Sequence, residues 1–338
     1  MNNPAEALSM NTVNLESGDR VIPTNVATMP RIFRLTQIDL VQMDMGCTKY
    51  TATLYHDRAV IKVCWSVSKP DLRLKSGALV SPRLFGVAHC EGGVIKISRL
   101  VLMELPEPWE NLFHTVPHGW VKDRELVERA AVLIEALPRS YRYLFNAIFW
   151  DGQRFKRFCT GPSSVNGHHA AENGNLRHAV DVAQSIRRFC QNREMANEAL
   201  GILAGLLHDA GKADEYRLSP SADWQLTDRG KLLGHKVTVT EWIAQARARW
   251  NLLMPDEHYM ALLHCLTCAP SAPEWLGIRK PAMLEAFLLS SMDRLSGTED
   301  LMSRCATSQE GWGAYHSHLN GRPYQIRTAG PGRVEEQS

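Results

Sequence analysis

The stretch Ala204-Gly-Leu-Leu-His-Asp-Ala-Gly-Lys212 ends an apolar run made of Leu200, Ile202, Leu203, Leu206 and Leu207. That spacing predicts a buried helix. The run delivers His208 and Asp209 side by side and then stops at Gly211. An imidazole and a carboxylate at the end of a buried helix are costly to desolvate unless paired or ligated. Two readings follow: an N–H···O pair that satisfies a helix end, or two ligands of one metal ion.

The surrounding chain bounds the choice. Its 338 residues suggest two domains, each large enough for a core. Hydrophobic residues make up 44% and charged residues 22%, as in globular proteins that need no membrane. No apolar run reaches the length of a membrane span, and residues 1–19 lack the basic-then-apolar layout of a secretory leader. The eight cysteines are irregularly spaced, which predicts reduced thiols and a cytoplasmic setting rather than a disulfide framework.

Along the chain, residues 1–30 read as a flexible arm. Five β-type runs follow at 33–40, 48–55, 59–66, 79–88 and 94–103, separated by turn residues, with Pro82 limiting the fourth to an edge strand. Five short strands within residues 31–104 predict a small barrel of the OB type. This segment holds 11 Lys/Arg against 6 Asp/Glu, an excess of five. Tyr50, Tyr55, Trp65 and Phe85 are interleaved with those charges. Basic side chains alternating with stacking aromatics suit a single strand, so Tyr50 and Trp65 are candidate substrate contacts; equally, they are core residues of an ordinary barrel. Residues 105–122, rich in proline, read as a linker. From 123 to 300 the pattern is helical, with helices expected near 176–191, 197–210, 231–250, 256–268 and 281–296, and residues 301–338 read as a polar tail. The fold class expected is therefore β + α in two domains, a small OB-like β-barrel followed by an all-α helical domain.

The helical part carries His168-His169, His178, His208-Asp209, His235, His264 and Asp293, several of them on apolar helices. A lone histidine there is ordinarily a satisfied core residue. Several imidazoles and two carboxylates on successive buried helices instead suit a divalent ion such as Mn, Fe, Mg or Zn, which also explains how acids can be buried. His264-Cys-Leu-Thr-Cys268 has no second cysteine pair, so Cys265 and Cys268 read as core.

His178, His208-Asp209 and Asp293 follow the H…HD…D order of the HD phosphohydrolase superfamily. Phe158–Val180 (FCTGPSSVNGHHAAENGNLRHAV), Thr227–Val237 (TDRGKLLGHKV) and Lys280–Ser296 (KPAMLEAFLLSSMDRLS) extend the match. In these segments the chain resembles the YhaM-type 3′→5′ exoribonucleases, which place an OB-like domain before an HD domain. The resemblance implies His178, His208, Asp209 and Asp293 as metal ligands, with Asp209 bridging two ions and His235 serving the second. It implies one or two divalent ions (Mn, Mg or Fe) per chain, and an oligomer. His208 and Asp209 are then the catalytic centre. Lys212, one turn further on, is either a catalytic phosphate contact or a solvated lysine near a helix end. His168 and His169 contact substrate or shape the loop. Two features depart from the family pattern. Ala269-Pro270 stands where the family has two histidines, leaving His264 as the candidate to complete the second site. Asn173-Gly174 stands where it has two glycines.

Three functions compete. The first is a metal-dependent phosphodiesterase, a 3′→5′ exonuclease on single-stranded RNA or DNA. The second is a phosphohydrolase of nucleotides or small phosphoesters, which has no need of a barrel. The third is a nucleic-acid-binding module for plasmid transfer, since Pro162–Val182 also resembles the MOBH-type relaxases. No phosphate-binding loop of the G-x-x-x-x-G-K type occurs.

Overall fold

A computed structural model of the chain describes residues 29–43, 46–165, 167, 169–221, 223–250, 252 and 254–326. The expected arm through residue 28, His168 and residues 327–338 of the expected tail lie outside them. The fold is mixed β and α, with the strands first. The chain divides into two compact units: one through Thr160 together with Thr240–Asp256, the other Gly161–Val239 together with the residues from Glu257 onward.

The first unit opens with β1 (Phe33–Gln42), β2 (Thr48–His56), β3 (Ala59–Val67), β4 (Leu79–Glu91) and β5 (Val94–Leu102), each on a stretch expected from sequence. They form a closed barrel in the order β1-β2-β3-β5-β4. All pairings are antiparallel except β3 with β5. Pro82 is tolerated inside β4 because pairing with β1 covers Leu79 and Val80, leaving the proline's missing N–H outside that ladder. Period-two alternation sends Phe33, Leu35, Ala52, Leu54, Ile61, Val63, Ile95 and Ile97 into the barrel core.

Two expectations are corrected in this unit. Tyr50 and Trp65 are not strand contacts. They face each other across β2 and β3, stack at 4.9 Å inside the core, and are each 4% exposed. Residues 105–122 are not a free linker, because Leu112, Phe113, Val116 and Val121 are buried. The cause is α1 (Arg124–Glu135), α2 (Arg139–Phe149) and α3 (Gly152–Thr160), whose Phe145, Phe149, Phe155 and Phe158 continue the cluster begun by Phe113. Arg34, one of the eleven basic residues of 31–104, is also internal. It donates to Gly77 O (2.9 Å) and Thr115 Oγ1 (2.7 Å) and lies over the rings of Trp120 and Phe155. Burial lowers its pKa to about 9.

The second unit holds α4 (Gly174–Cys190), α5 (Glu198–Leu207), the short α6 (Lys212–Glu215), the two-stranded β6 (Tyr216–Leu218) and β7 (Trp224–Leu226), and α7 (Asp228–Leu232). The division between units runs through α8 (His235–Trp250). Then come α9 (Asp256–Thr267), α10 (Leu284–Cys305), β8 (Gly311–Trp312) and β9 (Tyr324–Gln325). The helix expected over 231–250 is broken by Gly234, whose φ of +76° a helix cannot hold. The helix expected over 281–296 runs on to Cys305. Most of the described part of the expected tail is therefore folded. The described cysteines are free thiols, and no described helix is long and apolar enough to cross a membrane.

Candidate metal centre

The centre is built where α4, α5 and α10 pack on one another. Asn197 starts α5 by accepting the Leu200 N–H through Oδ1 at 3.0 Å, and apolar residues bury it throughout. Close approach of α4 and α5 depends on Gly205: a Cβ there would lie 2.8 Å from Ala183 Cα. That approach sets His178 of α4 against His208 at the end of α5, their Nε2 atoms 3.2 Å apart. From α10, Asp293 Oδ1 reaches His178 Nε2 at 3.0 Å and His208 Nε2 at 3.6 Å. Asp209 Oδ2 stands 3.4 Å from His178 Nε2 and 3.6 Å from His208 Nε2.

The tautomers follow from the outer contacts. His208 Nδ1 lies 2.8 Å from the Gly205 carbonyl and donates to it; in the neutral ring this leaves Nε2 able to ligate. His178 Nδ1 lies 3.0 Å from Ser296 Oγ; a neutral ring donating there likewise leaves Nε2 able to ligate. Two imidazole nitrogens and two carboxylate oxygens thus converge on one partly buried space. The donor set therefore fits a divalent ion, and His178, His208 and Asp293 form a group able to hold one.

Without an ion the same groups pair by charge. Burial opposes the charge on Asp209, yet Lys212, His208, His178 and His235 outweigh it and hold the carboxyl far below the usual range. Burial likewise opposes charge on Asp293, and hydrogen bonds from His178 and His208 overcome it. His208 is raised because Asp209 and Asp293 outweigh its burial.

The remaining expected residues sort clearly. His235 Nε2 meets the other oxygen of Asp209, Oδ1, at 3.4 Å, and its Nδ1 is 3.2 Å from Glu215 Oε1. Gly211 permits this, since a Cβ there would lie 2.2 Å from His235 O. Lys212 is not solvated: its Nζ lies 2.6 Å from Asp209 Oδ2 and 3.2 Å from Ser163 Oγ. His169 is corrected. It is buried at the back of the site, with Nε2 3.3 Å from Ser296 Oγ and its backbone N–H donating to Asp300 Oδ2 at 2.9 Å. His264 is also corrected. Its Nε2 accepts the Ala282 N–H at 2.9 Å, which occupies that nitrogen away from the group of His178, His208 and Asp293. Asn173 keeps the loop geometry with a φ of 64°, a conformation asparagine tolerates in place of glycine.

Sequence reading missed Ser163, Glu215, Ser296 and Asp300. Ser296 joins His178 to His169, and Glu215 fixes the ring of His235, as carboxylates behind ligating histidines do. The available signal was Glu215 on the turn after Gly211-Lys212, and Ser296 and Asp300 spaced one and two turns beyond Asp293 on the same helix face.

Fold and site describe a β-plus-α chain with a histidine–aspartate cluster suited to a divalent ion. Comparison with known proteins gives the particular likeness: the chain is similar to 3′-5′ exoribonuclease YhaM of several bacteria. It is 29% identical to that of Bacillus licheniformis over 150 residues, 44% of this chain and 46% of that one. For Bacillus subtilis the figures are 27% over 180 residues, 50% and 56%. For Geobacillus sp. they are 26% over 261 residues, 75% and 70%. The first of these matches spans about half the relative's length. No family model matches, and no solved structure matches.

Proposed function

We propose that the chain is a metal-dependent phosphodiesterase that removes nucleotides from the 3′ end of single-stranded RNA or DNA. The observation that carries this reading is the convergence of His178 Nε2, His208 Nε2, Asp209 Oδ2 and Asp293 Oδ1. The likeness to enzymes named 3′-5′ exoribonucleases supports it.

In this reading His178, His208, Asp209 and Asp293 hold a divalent ion (Mn, Mg or Fe), and Asp209 turns its second oxygen toward His235. A bound divalent ion polarises a scissile phosphate and acidifies water. Lys212 neutralises Asp209 before substrate arrives and offers a cation to the phosphate afterward. Ser296 and Glu215 hold the imidazoles of His178 and His235 in the ligating orientation. With His264 engaged by Ala282, the second ion has fewer protein donors, so metal content is nearer one than two per chain. The division of labour assigns residues 31–104 to an OB-type strand-holding barrel and hydrolysis to residues within 123–300. The free thiols fit a reducing cytoplasm.

The test is incubation of 5′-labelled single-stranded RNA and DNA with Mn, Mg or chelator, alongside Asp209→Ala. A ladder shortened from the 3′ end, dependent on metal and absent in Asp209→Ala together with its bound metal, is expected. Cleavage that persists in chelator, or a chain that cleaves mononucleotides or small diesters and leaves strands intact, would refute it.

A further inference from the structure

A nuclease for single strands needs aromatic faces on which bases can stack. The barrel supplies few: Tyr50, Tyr55 and Trp65 are buried, and Phe85 is exposed. Exposed rings occur instead on the C-terminal hairpin of the second unit. Trp312 is 66% exposed, Tyr315 60% and Tyr324 55%. Trp312 of β8 and Tyr324 of β9 are direct cross-strand partners, so their side chains share one face, with rings 5.1 Å apart and edge to face. Residues 311–325 contain Arg322, exposed, and no Asp or Glu. That charge suits a polyanion.

The hairpin is tied to the loop that carries Gly167 and His169. Ala314 N–H donates to Cys305 O at 2.8 Å, fixing the hairpin to the end of α10. One residue earlier on α10, Arg304 donates to Gly167 O at 2.6 Å and pairs with Asp300 at 3.2 Å. Asp300 in turn accepts the backbone N–H of His169. His318, at the far turn of the hairpin, comes close to Gly167, since a Cβ on that glycine would lie 3.5 Å from its ring. Between hairpin and α10 runs a groove of about 320 Å³, walled by Leu295, Met302, Pro323 and Tyr324. That volume is at the lower end of the range that holds small ligands. Glu299 also lines the groove and repels phosphate, so the groove suits a base rather than the backbone.

We propose that the hairpin Gly311–Gln325, with Trp312 and Tyr324 as stacking faces and Arg322 as a phosphate contact, holds the single strand whose end enters the metal centre. This rests on the nuclease reading. The probe is a fluorescent 12-nucleotide single strand, its binding to the full chain followed by anisotropy in chelator, with bis(p-nitrophenyl) phosphate hydrolysis followed in metal. Trp312→Ala and Tyr324→Ala should each raise Kd about 5- to 150-fold. Trp312→Phe should restore binding, because it keeps a ring; Trp312→Leu should not, although it keeps apolar bulk. Hydrolysis of the small diester should be unchanged in all four, which also reports that they are folded. Equal strand affinity in wild type, Trp312→Leu and Tyr324→Ala overturns the proposal. So does a change in oligomer mass with strand affinity retained, which would mark the hairpin as a contact between copies. A wild type that cleaves the small diester but binds no strand removes the nuclease reading itself, and this inference with it.

Discussion

Glu110 illustrates how a single side chain responds to its surroundings away from the metal. Burial is the main force on its carboxyl; His114 and Arg58 oppose it, Glu107 and Asp57 add to it, and the net result is a pKa raised to about 7. His56 Nε2 lies 3.9 Å from Glu110 Oε1, and burial holds that histidine toward its neutral form, so it offers little charge in compensation. Asp57, meanwhile, is held as an anion by His114 and His56, and His114 also reaches Glu135. The folded chain thus keeps a proton on Glu110 that the unfolded chain releases near pH 4.5. Its favourable contribution is complete below pH 4.5 and is lost as pH rises to about 7, a change of up to about 3 kcal/mol. Glu110→Gln should therefore raise Tm by several degrees at pH 8 and scarcely at pH 4.5, as followed by circular dichroism. An equal shift at both values would show that the carboxyl is solvated. Such effects were not legible in sequence, because Glu110 looks like any acid in a proline-rich stretch. His208, Asp209, His178 and Asp293 were legible as a group, since imidazoles and carboxylates on apolar helices are costly to bury unless paired or ligated. For His169 the sequence left substrate contact and loop shaping open, because adjacency to a second histidine says nothing about burial.

At the scale of elements, the histidine–aspartate cluster is a product of one helix crossing. Gly205 lets α5 approach Ala183 of α4, and Gly201 does the same beside Ile186 one turn earlier. The two imidazoles are 3.2 Å apart only because the backbones are that close. Gly205→Val should push α4 from α5, separate His178 from His208, and release the metal without altering a ligand. Elemental analysis of the purified variant checks this, with far-ultraviolet dichroism to confirm that the helices remain. Full metal content in a folded Gly205→Val would mean the crossing tolerates a side chain and that the ligands are placed by other contacts. Sequence exposed the elements themselves because period two and period 3.6 differ sharply over runs of nine or more residues. Burial of Tyr50 and Trp65 was also implicit there: Tyr50, Ala52 and Leu54 alternate on β2, and Ile61, Val63 and Trp65 on β3. Their pairing with nearby lysines suggested stacking surface, but lysine and aromatic alternate because they face opposite sides of the strand. The β8–β9 hairpin gave no period at all, since its strands are two residues each.

Over the whole molecule, charge and chemistry are separable, and salt separates them. Apart from Arg34, the Lys and Arg residues of 31–104 are exposed. Arg73 is engaged with Asp71 and Glu104, which removes it from the set free to meet a strand. Lys62 of β3 and Lys96 of β5 lie on neighbouring strands, with Lys62 opposite Val94 and Cys64 opposite Lys96, so both project from the outer face two positions apart. If this face holds nucleic acid, each phosphate it neutralises contributes about 0.7 to the slope of log affinity against log salt for a single strand. Affinity for a long strand should then fall with a slope steeper than about −2, corresponding to three or more contacts. Lys62→Ala combined with Lys96→Ala should flatten that slope by about 1.4. On the proposed reading, hydrolysis of a small diester should scarcely respond to either change, because Asp209, His178 and His208 are buried and burial weakens screening. Binding measured from 50 to 300 mM salt decides the matter. A slope equally steep in wild type and in the double variant would take the strand off the barrel face, leaving Arg322 and the aromatic hairpin as its principal seat and the barrel as a structural partner of α1–α3.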